Sequence, residues 1–267
     1  MRRRAKREKK DKLGYIIIGV VVTILLSIAI FIVSNKRADI DKESMCRVDG
    51  QFDRQIVILD MTDNYNSIQV TQIKHIIMNI IDNLKIDEQI QLFFIDSTLP
   101  AEMQPQVTLC NPGDGAGKSE LYSNPKLMKK RWEKRFYNPL MKEMASLSEE
   151  YTSTTSPIIE TIQVVNNIAF PYVKDPAIHY KITIISDMIQ NSASLSFFKS
   201  SYGDLGAFVD SKEFYKVRTD LEGVDVDIVV VRRDKLEQFQ SRDHIDFWIN
   251  LLENMNANVQ SVKATDG

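Results

Sequence analysis

The sequence predicts an α/β fold: a doubly wound, mostly parallel sheet that follows one N-terminal transmembrane helix. Three observations predict it. Short, largely apolar runs at 56–59, 89–95, 182–186 and 224–231 read as strands buried on both faces. Between them, Ile68–Leu84, Ser156–Phe170 and His244–Met255 carry apolar residues at helical spacing. Ahead of them all, Leu13–Val33 runs for 21 residues without a charge.

Residues 1–12 form a basic tail in which Arg2, Arg3, Arg4, Lys6, Arg7, Lys9, Lys10 and Lys12 are offset only by Glu8 and Asp11. At about 1.5 Å per residue, 13–33 would span roughly 30 Å, the hydrocarbon thickness of a bilayer. The apolar run exceeds that of a cleaved signal peptide, and no clear A-x-A site follows it. Lys and Arg are denser before the span than after it, so the positive-inside rule leaves the N-terminus in the cytoplasm. The expected product is a single-pass inner-membrane protein with its C-terminal domain periplasmic or extracellular. Residues 34–45 make a short linker, and 46–267 make the exported domain.

Charge divides the same way. Residues 1–42 carry 11 Lys/Arg against 4 Asp/Glu, whereas the remainder carries 23 against 32. An acidic main domain lacks the clustered cations that phosphate contacts require, so no nucleic acid is expected as a partner. Both cysteines, Cys46 and Cys110, fall in the exported part, where a pair is a disulfide candidate. Two unrelated thiols are the alternative. With no CxxC motif or Cys/His cluster, a zinc site is not expected.

Within the domain, the first strand ends at Asp60, the helix over Ile68–Leu84 follows, and Gln89–Ile95 is the next strand, a βαβ unit. Residues 96–150 read as a long irregular insertion with one helix. Met128, Trp132, Phe136, Leu140 and Met144 recur every four residues there, among Lys129, Lys130, Arg131, Lys134 and Arg135. Such a helix either docks a partner through its basic, aromatic face or lays the apolar stripe on the core, and Pro139 should bend or split it. Ser156 is placed at the N-cap of the next helix with Pro157 at its first position. Residues 182–186 form a strand followed by Asp187, Leu195–Phe214 reads as mixed and loop-like, and Asn258–Val262 is a last edge strand.

Asp60 and Asp187 each end an apolar strand, and a parallel sheet brings such ends to one rim. With Ser156 between them in sequence, they offer two carboxylates and a hydroxyl, ligands that suit Mg²⁺. Capping of neighbouring loops and helices is the alternative use of these aspartates. A strand-end aspartate also opens haloacid-dehalogenase-type phosphotransferases, but these place a second Asp where this chain has Thr62. GDGAGKS at Gly113–Ser119 imitates a phosphate-binding loop, yet Pro112 stands where its first glycine is needed. His75, His179 and His244 lie on separate elements outside any HExxH pattern.

DMTDN at Asp60–Asn64, TSPIIE at Thr155–Glu160 and ITIISDM at Ile182–Met188, followed by VDVDIVVV and WINLLENMNANVQSV, resemble a von Willebrand factor A (VWA)-type domain. The resemblance covers about 52–262, interrupted by 96–150. It implies a VWA/Rossmann-like sheet and a metal-ion-dependent adhesion site. Carried onto this chain, that site takes Asp60, Thr62, Asn64, Ser156 and Asp187, with Mg²⁺ or another divalent cation as cofactor. Asn64 stands where the family has Ser, which leaves open Asp63 as a competing ligand or a site without metal. Thr155 is the alternative to Ser156. CNPGDG, NPKLMKKRW and SDMIQNS further resemble bacterial single-span membrane proteins with a VWA-like exported domain, without implying a mechanism. The resemblance implies a protein-binding module, not an enzyme, whose partner supplies a carboxylate to the metal. It would belong to an envelope or membrane complex. The rivals are a metal-dependent, phosphoesterase-like hydrolase using Asp60 and Asp187, and a structural subunit with a degenerate, metal-free site.

Overall fold

The computed structural model describes residues 15, 17–31, 39–96, 99–120, 123–199 and 204–265. The chain divides into two units, 1–39 and 40–267. In the first, Tyr15 and 17–31 are helical, and their apolar side chains are exposed. The expected tail at 1–12, positions 13, 14, 16, 32 and 33 of the expected span, and linker residues 34–38 lie outside the described residues. Among the described residues, no helix is long and apolar enough to cross a membrane.

The second unit is built on a six-stranded sheet. Its elements are β1 (Arg54–Asp60), α1 (Ser67–Asn83), β2 (Gln89–Ile95), β3 (Val107–Cys110), α2 (Pro125–Trp132), α3 (Asn138–Ala145), α4 (Ile158–Ala169), β4 (Tyr180–Ser186), α5 (Leu205–Val209), α6 (Lys212–Val217), β5 (Val224–Val230), α7 (Arg242–Asn254) and β6 (Asn258–Ala264). The strand order is β3-β2-β1-β4-β5-β6, parallel throughout except at the β3 edge.

Alternation along β1 explains the layering. Ile56 and Ile58 point to one face, where α4, α5, α6 and α7 supply Ile159, Ile162, Phe208, Phe214, Trp248 and Leu251. Val57 and Leu59 point to the other, against Ile73, Ile77 and Ile81 of α1. A strand covered on both faces has no polar side to show, hence its continuous apolar run. α1 starts sharply because Asn66 and Gln69 form a reciprocal capping box.

The insertion is more ordered than the sequence suggests. Phe136, Leu140 and Met144 are buried in the second core cluster, with Trp132 and Met141 packed against it, so the apolar stripe lies on the core. Pro139 does not split the helix. A π-helical turn at Glu133–Tyr137 joins α2 to α3, with Pro139 in the first turn of α3. The insertion also contributes β3, so Cys110 sits on an edge strand and not in a loop. Cys46 and Cys110 form a disulfide. Leu195–Phe214, expected as mixed and loop-like, holds the short helix α5 and the start of α6, capped by Asp204 and Ser211.

Candidate functional site

β1 and β4 are parallel neighbours, paired up to Leu59 and Ile185. Asp60 therefore leaves the sheet beside Ser186 and Asp187. From β1 the chain moves outward to β2 on one side, while β4 lies on the other, so this is the point where strand order reverses. Open α/β sheets form their crevices there.

Asp60, 3% exposed, is the centre of the rim. Its Oδ1 accepts from Thr62 N at 3.1 Å and Thr62 Oγ1 at 2.7 Å. Its Oδ2 accepts from Ser186 Oγ at 2.6 Å and Ser156 Oγ at 3.3 Å. Two backbone bridges bring the later loop into place. Asp63 pairs with Thr152, and Ser156 pairs with Asn191. Ser156 is thus not the N-cap of α4. Pro157 holds the cap position in a non-helical conformation, and the Gln190 side chain accepts from Ile159 N at 3.0 Å. That arrangement frees the Ser156 hydroxyl for Asp60. Thr155 is exposed and its side chain is not drawn to Asp60.

Asp187 is 4% exposed. Its Oδ1 accepts from Ile189 N at 2.9 Å, and its Oδ2 lies 3.5 Å from Arg233 Nε. Burial, and after it the neighbouring Asp60 carboxylate, push the Asp187 pKa up to about 7, with Ile189 N–H and Arg233 opposing the rise. The following turn is held at Met188, which has a left-handed backbone (φ 61°). Its carbonyl lies 2.7 Å from the Trp248 Nε1 donor and 2.9 Å from His244 Nε2.

Asn64 is not brought to the others. It is exposed, and its Oδ1 accepts from Tyr151 N at 2.6 Å. Asp63 is exposed and lines the cleft above the rim, a cavity of about 320 Å³ that also takes in Thr62, Ser153, Thr155, Ser156 and Asp187. Sequence reasoning missed three residues. Ser186 immediately precedes Asp187 and shares its strand end. Tyr65 donates its phenol to the Asp60 carbonyl, and burial raises its pKa well above the ordinary value, which keeps it a donor. Arg233 reaches over from the loop after β5, and its only signal was a cation just past a rim strand.

The donor set is hard and oxygen-only. Thr62 and Ser156 commit their hydroxyl protons to Asp60, which leaves their oxygen lone pairs available to a cation. Among the described residues, no three of His, Cys, Asp and Glu gather as a metal cluster. The site amounts to two carboxylates flanked by hydroxyls, and Asp60, Thr62, Ser156 and Asp187 fit a hard divalent ion where Asn64 does not.

The strand order and the loops converging on Asp60 agree with the domain type that the motifs resemble. The domain is VWA-like in fold. No family model matches the chain of this VWA-like domain, and no curated protein matches it. Among solved structures, BatB from Bacteroides thetaiotaomicron, a conserved hypothetical protein, is 13% identical with a TM-score of 0.36, over 79% of this chain and 91% of that one. The SpRpn10 VWA domain is 13% identical with a TM-score of 0.40, over 80% of this chain and 89% of that one. Proximal thread matrix protein 1 from the mussel byssus, whose MIDAS motif is zinc-occupied, is 12% identical with a TM-score of 0.37, over 80% of this chain and 44% of that one.

Proposed function

We propose that this chain is a membrane-anchored protein-binding module whose exported VWA-like domain engages its partner at the carboxyl rim of the sheet. The observation that carries the reading is the convergence of Asp60, Thr62, Ser156 and Asp187 beneath one open, polar cleft. Mg²⁺ or another divalent cation, when bound, supplies positive charge that a partner's carboxylate can complete. Asp60 orients the hydroxyls, and Asp187 supplies the second carboxylate. Catalysis is not part of the proposal. Both Asp60 oxygens already accept two hydrogen bonds each, which suits an orienting group better than a nucleophile. Anchoring rests on the sequence of 13–33, an uncharged run of 21 residues.

The test is thermal unfolding of the full-length chain in detergent micelles after EDTA treatment, with and without MgCl₂. At a hundredfold excess over Kd, ligand binding stabilises by about 2.7 kcal/mol, a Tm rise of several degrees. No shift with Mg²⁺ or Mn²⁺ would sink the metal-assisted reading in favour of the metal-free rival, which the side-chain direction of Asn64 and the proximity of Arg233 to Asp187 favour. A C-terminal reporter active only outside the cytoplasm should be active. A cytoplasmic signal would overturn the export proposal.

Position 64 has its own expected outcome. Asn64→Ser restores the family residue, yet it should leave the Mg²⁺ response unchanged, because this position faces Tyr151 N and not Asp60. Loss of that bond should cost about 1 kcal/mol in urea unfolding. A stronger Mg²⁺ response in the variant would show that residue 64 does reach the site.

A further inference from the structure

Arg233 is the unabsorbed feature of the rim. Its side chain is only 13% exposed and sits beside an Asp187 side chain that is 5% exposed. Its Nη1 donates to the Asn64 carbonyl, and its Nη2 to the Asp63 carbonyl at 3.4 Å. Its guanidinium carbon lies 4.9 Å from the centroid of the Tyr65 ring. One side chain from the loop after β5 thus ties together the loops after β1 and β4. Among the described residues, no other cation pairs with Asp60 or Asp187.

The two ends of this tie differ. The Nη groups hold carbonyls, whereas Nε approaches Asp187 Oδ2 at 3.5 Å without the alignment of a hydrogen bond. The contact with Asp187 is therefore electrostatic. It is the contact that can yield, by movement of the Asp187 carboxylate, while the guanidinium remains fixed to the loop after β1. Asp187 is also the carboxylate that a divalent ion would use.

We propose that Arg233 is a resident cation of the rim, occupying the charge of Asp187 and thereby weakening the affinity of the site for divalent metal. The inference rests on the metal-assisted reading above. Arg233 keeps two buried carboxylates tolerable when no metal is present, and it sets the metal concentration at which the rim becomes competent for a partner.

The experiment uses the full-length chain in detergent, stripped with EDTA and titrated calorimetrically with MgCl₂, as wild type, Arg233→Gln and Arg233→Lys. A unit charge within hydrogen-bonding range shifts a carboxylate's proton affinity by about tenfold to a thousandfold. Arg233→Gln should accordingly bind Mg²⁺ at least about tenfold more tightly, while Arg233→Lys, which keeps the charge, stays near wild type. A wild type that binds Mg²⁺ and a Gln variant that binds no more tightly overturn the inference and leave the metal reading standing. Tightening in both variants overturns the role of charge. Binding by neither wild type nor Gln variant removes the metal reading and the inference together. Should the Gln variant fail to fold, the ¹⁵Nε resonance of Arg233 in the wild type, assigned by its absence in Arg233→Lys, decides. It should move as Mg²⁺ saturates the site, and a resonance that stays put overturns the proposal.

Discussion

Replacing Asp60 with alanine is expected to abolish the stabilisation by Mg²⁺ and to destabilise the domain by about 3 kcal/mol or more. The second effect follows from what Asp60 accepts. Thr62 N, Thr62 Oγ1, Ser156 Oγ and Ser186 Oγ all point at one buried carboxylate. A buried donor left without its acceptor costs about 1–3 kcal/mol, and the relief of Asp187 from a neighbouring charge offsets only part of that. Asp60→Asn separates the two effects. Its amide oxygen can still serve Thr62, and the serine hydroxyls can rotate to accept from its NH₂ group. Most of the stability should return while the Mg²⁺ response stays much reduced, because the charge is gone. The measurements are urea unfolding at unchanged m-value and melts with and without MgCl₂. An Asp60→Ala chain that still gains Tm from Mg²⁺ would place the ion elsewhere.

The parts of this rim legible in the sequence are those fixed by strand ends. Asp60 follows four consecutive apolar residues and Asp187 follows the largely apolar run ITIIS, and a strand buried on both faces has one place to emit a polar side chain. Ser156 came from a motif, and in the structure its hydroxyl reaches Asp60 whereas Thr155 is exposed. Asn64 shows the limit of that approach. A motif position specifies a residue type, but its side-chain direction is set by what lies across the loop, here Tyr151 N at 87 residues' separation. Arg233 was out of reach for a related reason. It meets Asn64 across 169 residues, a contact that depends on β5 lying two strands from β1, and spacing does not reveal strand order. Within the insertion, β3 is not legible because it is only four residues long and too short to show a period.

Removing the disulfide with Cys46→Ser and Cys110→Ser together should lower the stability of the VWA-like domain by about 4 kcal/mol on chain-entropy reasoning, given the 64 residues separating the cysteines. The loss should begin locally. β3 is an edge strand paired with β2 alone, and across its outer side the segment before β1 is held by Cys110 N donating to Ser44 O at 2.8 Å. Met45 is buried in the second core cluster from that same segment. Without the bridge, hydrogen exchange should rise first at 40–50 and 107–110, ahead of β1 and β4, which are buried between neighbours on both sides. The rim should be spared. Cys110 pairs with Gln89 at the start of β2, whereas Asp60 pairs with Ile95 at its end. Six residues of strand separate the two by about 20 Å. The double variant should therefore melt earlier yet keep its full Mg²⁺-dependent rise in Tm, measured on the folded fraction below its new midpoint. A Mg²⁺ response lost along with the bridge would show that the edge strand and the rim form one cooperative unit, contrary to the independence that their positions at opposite ends of the sheet require.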